Sequence, residues 1–188
     1  MGSTELFVAP PIEDSFERPE KILNVTERYY SPRYALNASG IEGEDLCILF
    51  HSNKICLVTL APTHPILLHK KKIDKFNFEV SRNVDRLQNK VSGKGKHGAQ
   101  VLQPSSTICF IECSDGTSYA ICSCLNGKLV EINEKIIDEP DLVISRPLSE
   151  GYLAIVLPSI ANSHKAKDQL LSQEGYEKAR GIKSSESL

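Results

Sequence analysis

The feature that most constrains the fold of this chain is a series of short apolar runs, rich in β-branched residues and separated by turn signals. Two pairs of runs have hairpin spacing: 45–51 and 54–60 around Ser52–Asn53, and 107–113 and 117–124 around Asp115–Gly116. An Asp-Gly pair between such runs is among the strongest signals for a two-residue hairpin turn. Short strands at close spacing are typical of a β-sandwich or a small barrel.

Three further segments complete a prediction of seven or eight strands. Residues 73–80 alternate between polar and apolar side chains, and residues 128–132 and 152–157 are apolar runs of strand length. Between the last two, residues 133–137 are predicted to form one helical turn, with Asn133 as N-cap and Pro140 ending it.

Composition divides the chain into three parts. Residues 1–27 hold six acidic and two basic residues with three prolines, which predicts an acidic, disordered tail. Residues 28–160 hold the predicted strands and form the β domain. Residues 161–188 are polar, with helical spacing over about 166–180 that places Leu170, Leu171 and Tyr176 on one face. We therefore expect a C-terminal tail with one short helix.

The overall composition excludes several classes of protein. The chain has 188 residues, of which 40% are hydrophobic, with 22 basic against 24 acidic residues; global charge therefore indicates neither a nucleic-acid nor a membrane partner. The longest strongly apolar run, residues 153–157, is far shorter than the about 20 residues of a membrane-spanning helix. The first residues lack the pattern of a secretory signal, so an intracellular, soluble protein with reduced cysteines is expected.

Four of the six cysteines lie on the arms of the predicted second hairpin: Cys109, Cys113, Cys122 and Cys124. A two-residue turn places Cys109 opposite Cys122 and all four side chains on one face. Zinc is one interpretation, but a flat hairpin face splays its ligands, whereas structural zinc sites favour closely spaced cysteine pairs in a wrapping loop. The favoured interpretation is that these cysteines are small buried core residues, with no metal.

No catalytic constellation is evident. The five histidines are His51, His64, His69, His97 and His164, and none forms a closely spaced metal-binding pair. There is neither a nucleophile elbow nor a catalytic-cysteine motif for them to activate. The sequence therefore predicts no catalytic residue, no cofactor and no enzymatic activity.

The most distinctive segment is the basic loop, which we define as residues 82–97. Its five cations, set against the single acidic residue Asp85, are Arg82, Arg86, Lys90, Lys94 and Lys96. Its glycine-rich end is followed by Ala99–Gln100 instead of the Lys-Ser/Thr that a phosphate-binding P-loop needs. The remaining interpretation is a flexible loop that binds an acidic partner. A solvated loop without a ligand is the alternative, and contact with RNA or DNA is disfavoured because no aromatic residues are interleaved.

Five segments together resemble one family: residues 44–60, 86–94, 113–116, 126–133 and 150–158. They resemble the Abitram (also called Simiate) proteins, and the likeness runs from about residue 28 to residue 158. The most specific segment is Leu-Gln-Asn-Lys-Val-Ser-Gly-Lys at 87–94. This resemblance implies an actin-binding modulator of transcription, located in nuclear speckles and in cell projections such as growth cones and lamellipodia.

A more distant likeness concerns the fold. Residues 127–153 are similar to the C-terminal half of the glycine-cleavage H protein, a lipoyl carrier with a barrel-sandwich hybrid fold. In H proteins the lipoylated lysine lies about eleven residues before the glycine equivalent to Gly127. That position is Gly116 here, and the hairpin around it has no lysine. The resemblance thus implies a mainly β barrel-sandwich hybrid with short helices, but without an attachment point for the carrier group.

The sequence therefore favours a non-catalytic actin-binding protein that acts in the nucleus and in the cytoplasm. The basic loop is the candidate contact, because actin's surface is largely acidic. A nuclear adaptor for nucleic acid, or for transcription or splicing components, that uses the same loop is the first alternative. A carrier-type accessory protein of lipoate or one-carbon metabolism is the second, and the absent lysine disfavours it.

Overall fold

The computed structural model describes residues 25–182. Most of the predicted acidic tail, residues 1–24, and the last six residues of the C-terminal tail lie outside the described part. Among the described residues no helix has both the length and the apolar character needed to cross a membrane.

Eleven strands and six helices follow one another in the described chain, and most of the residues between them form turns. In chain order they are α1 (Val25–Tyr29), β1 (Tyr30–Ala35), β2 (Leu46–His51), β3 (Cys56–Leu60), α2 (Pro65–Leu68), β4 (Ile73–Asn77), β5 (Glu79–Ser81), β6 (Val84–Asp85), β7 (Val101–Leu102), β8 (Thr107–Cys113), β9 (Ser118–Cys122), β10 (Gly127–Ile132), α3 (Lys135–Asp138), α4 (Leu142–Ser145), β11 (Ala154–Pro158), α5 (Ile160–Gln169) and α6 (Gln173–Arg180).

The strands form one large sheet and two small ones. The large sheet has the order β1-β2-β3-β11-β10-β7, the second has the order β4-β8-β9, and β5 pairs with β6. All the pairs are antiparallel. The main core lies between the large sheet and the β4-β8-β9 sheet, and it is mostly aliphatic. The mainly β architecture is the one that the sequence predicts.

Strands β2 and β3 are buried on both faces, which explains why they are continuous apolar runs instead of alternating ones. Leu46, Ile48 and Phe50 point into the main core. Cys47 and Leu49 point to the other face, where a second small cluster forms around Tyr34 and Tyr176. The large sheet is therefore covered on its outer side by residues from the C-terminal end of the chain.

Both predicted hairpins exist, but their turns have three residues instead of two. In each, the last turn residue is left-handed, Lys54 with φ 78° and Gly116 with φ 81°, as in the common three-residue hairpin loop. The backbone closes accordingly: Cys113 N–H donates to Thr117 O at 2.9 Å. The extra residue shifts the register, so Cys109 lies opposite Ile121 and not opposite Cys122. The predicted cysteine pairing was wrong for this reason.

The C-terminal segment contains two helices where one was predicted over 166–180. Both begin with a serine cap: Ser159 accepts from Asn162 N–H, and Ser172 accepts from Gly175 N–H. The chain is extended between them because Leu171 forms a β-bridge with Tyr34, with both backbone hydrogen bonds at 2.9 Å. Helix α6 then ends at Gly181, whose φ of 66° is typical of a helix C-cap.

Helix α6 is fastened to the sheet by a buried ion pair and a ring stack. Asp45 is fully buried, and both of its carboxylate oxygens accept from the Arg180 guanidinium at 2.7 Å. The rings of Tyr34 and Tyr176 stack with centroids 4.0 Å apart, and the Tyr176 hydroxyl shares a 2.6 Å hydrogen bond with Thr63. A helix with a very polar sequence is thus held by three specific contacts.

The segment around Gly151 forms a tight corner before β11. A Cβ built on Gly151 would lie 2.1 Å from Leu142 O, so only glycine fits there. Asn133 was predicted to be a helix cap, but its side-chain amide instead donates to Glu150 O and Tyr152 O, at 2.8 and 2.7 Å. Helix α3 begins after Glu134, without a side-chain cap.

Candidate partner-binding surface

The basic loop includes β6 and leads into β7, with Arg82 in the turn between β5 and β6. Of its five predicted cations, Arg82, Lys90 and Lys94 are exposed and Lys96 is half-buried. The fifth, Arg86, is buried, with 8% of its surface exposed. Its Nε donates to Thr107 O at 2.9 Å and its Nη1 to Gln100 Oε1 at 2.7 Å. Burial lowers the pKa of its guanidinium from the ordinary value. Arg86 therefore supports the loop from inside, and the outer surface carries the other four charges.

Two amide side chains complete the base of the loop. Asn89 stands between β10 and the chain that leads into β7, where it donates to Leu129 O at 2.9 Å and accepts from Gln100 N–H at 2.8 Å. The Gln100 side chain donates to Asp85 O at 2.7 Å. These contacts join both ends of the loop to the large sheet.

The tip of the loop is ordered by backbone hydrogen bonds. Ser92 and His97 exchange both of their backbone bonds, at 3.0 and 2.9 Å, which makes residues 92–97 a miniature hairpin. Lys128, on β10, donates to Gly95 O at 2.8 Å and to Lys96 O at 3.3 Å. The sequence predicts a flexible loop, but this one has a defined shape, with Lys94 and Lys96 in its tip.

An open groove of about 910 Å³ runs beside the loop. One wall is the β5-β6 hairpin with Arg82, and the other is the β7 side with Val101. Arg86 lines the groove between them. The groove and the loop tip together form a surface on which a partner meets both cations and strand-edge backbone.

The four hairpin cysteines are core residues or lie at its edge. Cys109, Cys113 and Cys122 are buried in the main core, while Cys124 is half-buried beside it. Burial raises the pKa of the Cys124 thiol to about 12, so this thiol is not activated as a nucleophile. Within residues 25–182 no three His, Cys, Asp or Glu side chains are placed to hold a metal ion.

The hairpin tip at 114–116 carries an ion pair instead of a lysine attachment site. Lys71 donates to Asp115 Oδ2 at 2.7 Å and lies 5.3 Å from the centre of the Tyr119 ring. The Lys71 hydrogen bond holds the pKa of Asp115 below its usual range. Nothing lies within 4 Å of the position of a Cβ on Gly116, so the tip is open to solvent but holds no amine of its own.

Among the described residues, His64 is the one buried histidine. It caps α2 by accepting from Ile66 N–H at 3.3 Å and packs edge-on against Tyr119. Burial lowers its pKa to about 4. His64 is therefore neutral at physiological pH and has a structural role.

Sequence reasoning missed Asn89, Gln100 and Lys128 as parts of this surface. Asn89 lies within the family-like segment 87–94, which is a signal for the base of the loop. Lys128 is far from the loop in sequence, and no local pattern links it to the loop tip.

The relatives found among known proteins carry one family name. The chain is 43% identical to the Abitram protein of Bos taurus over 167 residues, with 89% of each chain covered. It is 44% identical to the Homo sapiens Abitram protein over 154 residues, covering 82% of this chain and 85% of the relative. The chain belongs to the Abitram family. A relative in Dictyostelium discoideum, 35% identical over 159 residues, carries the same name.

The same comparisons confirm the predicted fold. The family model described as glycine cleavage H-protein matches residues 83–182. The crystal structure of an H protein from Mycobacterium marinum superposes with a TM-score of 0.53 at 14% identity, over 79% of this chain and 96% of that chain. At this identity the likeness shows the fold alone, a barrel-sandwich hybrid. The chain thus has the fold of an H protein.

Proposed function

We propose that this protein is a non-catalytic actin-binding protein that modulates actin assembly and transcription, with the basic loop as its contact surface. The observation that carries the proposal is that the exposed Arg82, Lys90 and Lys94 and the half-buried Lys96 lie on one ordered segment of the chain. Actin presents a largely acidic surface, so such a loop gains favourable long-range attraction toward it. Membership of the Abitram family supports actin as the partner.

The ordered backbone of the loop favours a specific contact with the partner over a diffuse electrostatic one. A flexible cationic segment loses conformational entropy when it binds, whereas a hydrogen-bonded hairpin has paid most of that cost on folding. Lys128 holds the backbone of the tip from β10. The backbone that carries Lys94 and Lys96 is therefore held in place before a partner binds.

The compartments follow from the same proposal. A protein that connects actin and transcription acts in the nucleus, including speckles, and in the cytoplasm, including growth cones and lamellipodia. Its mass of 20.8 kDa is compatible with passive entry into the nucleus. Immunofluorescence of the endogenous protein with two compartment markers tests this distribution, and exclusion from the nucleus contradicts it.

Co-sedimentation with filamentous actin tests the proposal. The wild-type protein is pelleted with filaments at low salt and again near physiological salt. Binding that persists at the higher salt supports a specific interface. Binding that disappears there indicates a nonspecific polycation effect, because salt screens exposed charges beyond roughly 8 Å, and it contradicts the proposal.

Nucleic-acid binding through the same four cations is the competing function. Its signature is an affinity for single-stranded RNA that falls steeply with salt, in proportion to the phosphates contacted. A gel-shift titration at the two salt concentrations separates the two functions. RNA binding without actin binding replaces the proposal with the adaptor function.

The carrier function that the fold suggests is tested by intact mass. The tip residues 114–116 hold no lysine, and the nearby Lys71 is paired with Asp115. We expect the protein purified from eukaryotic cells to show no lipoyl or biotinyl adduct. An adduct of either mass contradicts the non-catalytic, non-carrier assignment.

A further inference from the structure

Arg86 is a buried charge without an acidic partner. It makes no salt bridge with any residue of the described chain, 25–182. Its two hydrogen bonds go to the neutral oxygens of Thr107 and Gln100. A guanidinium is always charged in proteins, and a buried charge is costly unless it is paired. The floor of the groove therefore holds an uncompensated positive charge.

The remaining donors of Arg86 are suited to a carboxylate. A guanidinium has five N–H donors in a planar fork, and two of the five are used by Thr107 and Gln100. The geometry of such a fork matches a carboxylate by paired hydrogen bonds. Arg82, exposed on the β5-β6 wall, adds a second cation to the groove.

The walls of the groove disfavour a polyanion. Glu79 and Asp85 line it together with Arg82 and Arg86, so its charges alternate in sign. A phosphate backbone, with one charge per nucleotide, meets repulsion from the two carboxylates. A peptide with one acidic residue among neutral ones brings a single negative charge and meets less of this repulsion.

The edge of the large sheet supplies backbone partners for an extended peptide. Strand β7 is the last strand of that sheet and pairs with β10. Val101 lies opposite Lys128, and the neighbouring Gln100 O accepts from Leu129 N–H. In an antiparallel ladder, hydrogen-bonded and non-hydrogen-bonded pairs alternate, so Val101 directs its own N–H and C=O away from β10, toward the groove side. Its side chain is 69% exposed.

We propose that the groove binds an extended acidic peptide segment of a partner protein, which adds to β7 as a strand and pairs one carboxylate with Arg86. Strand addition provides backbone hydrogen bonds, and a charged pocket provides the choice of side chain. The proposal rests on the proposed function in taking the basic loop region as the contact with an acidic protein. It goes further by naming the chemistry that is recognised.

Binding of peptide libraries with blocked termini tests the inference without actin. Eight-residue libraries with random flanks and a fixed central glutamate, glutamine or lysine are passed over the immobilised full chain. We expect the glutamate library to be retained at least about tenfold more than the glutamine library, because a charge-assisted pair replaces a neutral one. Equal retention of the two libraries overturns the proposal.

Two pairs of variants locate the site. Arg86→Gln removes the charge, whereas Arg86→Lys keeps it; the glutamate preference should be lost in the first and reduced in the second. Val101→Pro removes the outward N–H on an edge position that tolerates proline, whereas Val101→Thr keeps it. If Arg86→Gln fails to fold by circular dichroism, the Val101 pair decides. A glutamate preference that survives Val101→Pro contradicts strand addition.

The outcomes separate this inference from the proposed function. If wild-type protein binds filaments but shows no glutamate preference, the inference fails and the actin proposal stands. A glutamate preference without filament binding supports the groove and rejects actin as the partner. If a labelled single-stranded RNA binds the wild type but not Arg86→Gln, and the wild type shows no glutamate preference, the occupant of the groove is nucleic acid. That result overturns the inference.

Discussion

At the scale of single residues, polar side chains fix this fold at the places where the backbone leaves the regular ladders. Asn133 satisfies two carbonyls at the corner before β11, and Asn89 bridges β10 to the segment that enters β7. Buried backbone groups that lack partners are costly. These amides therefore stabilise turns that the apolar pattern does not specify.

The corner at Gly151 gives the sharpest residue-scale prediction. Gly151→Ala places a Cβ 2.1 Å from Leu142 O, and backbone must move to admit it. We expect a loss of about 3 kcal/mol in the free energy of unfolding, measured by urea denaturation. The control is Gly175→Ala in α6, where the atom nearest to a Cβ is Ser172 Oγ at 3.4 Å; there we expect anything from no change to a gain of about 1 kcal/mol. Equal effects contradict the packing assigned to the corner.

The Asp45–Arg180 pair predicts a pH dependence of stability. Burial raises the pKa of Asp45, but hydrogen bonds from Arg180, Asn37 N–H and Thr63 outweigh it, and the net shift is downward. A lowered folded-state pKa stabilises the fold above the unfolded value of about 3.9, and this contribution is lost as the pH falls below it. At neutral pH, Asp45→Asn should cost about 2–3 kcal/mol, since it leaves Arg180 unpaired.

The test compares unfolding of wild type and Asp45→Asn by urea between about pH 6 and about pH 2. Other acidic groups titrate in both proteins, so the difference between them isolates Asp45. The difference should shrink as the pH falls below about 4. A difference that stays constant over this range contradicts the assigned ion pair.

The sequence predicts that residues 82–97 form a basic surface loop, but it does not predict the environment of each cation. A run of cations with glycines predicts a surface loop, because lysine and arginine are mostly exposed. Arg86 is the exception, since Thr107 and Gln100 draw its guanidinium inward. Those partners lie 21 and 14 residues away along the chain, and no local spacing relates them to Arg86.

At the scale of elements, local signals gave the strands and turns, and long-range contacts decided their details. The runs at 45–60 and 107–124 predict hairpins correctly because apolar strands flank polar turn residues. The turn length was wrong because Lys54 and Gly116 each take a left-handed conformation as a third turn residue. The predicted single C-terminal helix is interrupted because Leu171 pairs with Tyr34, which is a contact across 137 positions.

The support of the loop tip by β10 gives the prediction at this scale. Lys128→Met keeps the aliphatic stem but removes the amine that holds Gly95 O and Lys96 O. Hydrogen exchange of the Ser92 and His97 amides, which bond to each other across the tip, should accelerate by about tenfold.

The matched control is Lys75→Met, which removes a surface pair with Glu112 on the β4-β8 sheet. Exchange at the loop tip should not change in this variant. If Lys128→Met also leaves the tip amides unaffected, the tip is ordered by its own backbone bonds alone.

At the scale of the whole molecule, the protein has an H-protein-like fold whose hairpin tip at 114–116 carries no lysine. The H-protein-like fold spans most of the chain, yet the tip at 114–116 holds an acidic residue paired with Lys71. The basic loop, with the exposed Arg82, Lys90 and Lys94, lies in a different segment, between β5 and β7. The mainly β class follows from the strand pattern, whereas the barrel-sandwich hybrid followed from the resemblance, because strand order depends on pairings that sequence periodicity does not specify.

The measurement that tests the central claim most directly is the affinity for filamentous actin of a charge-reversed basic loop. In the test variant Lys90, Lys94 and Lys96 are replaced by glutamate. In the control variant three other exposed lysines outside the loop are replaced in the same way, Lys72, Lys165 and Lys178. Both variants change the net charge of the chain equally, so only position distinguishes them.

The affinities are measured by co-sedimentation near physiological salt. The account predicts a loss of at least about tenfold for the loop variant and of less than about twofold for the control, because close complementary charges contribute far more than distant ones. A loop variant that binds filaments as wild type does, or a control that loses as much affinity as the loop variant, contradicts the claim that the basic loop is the actin-binding surface.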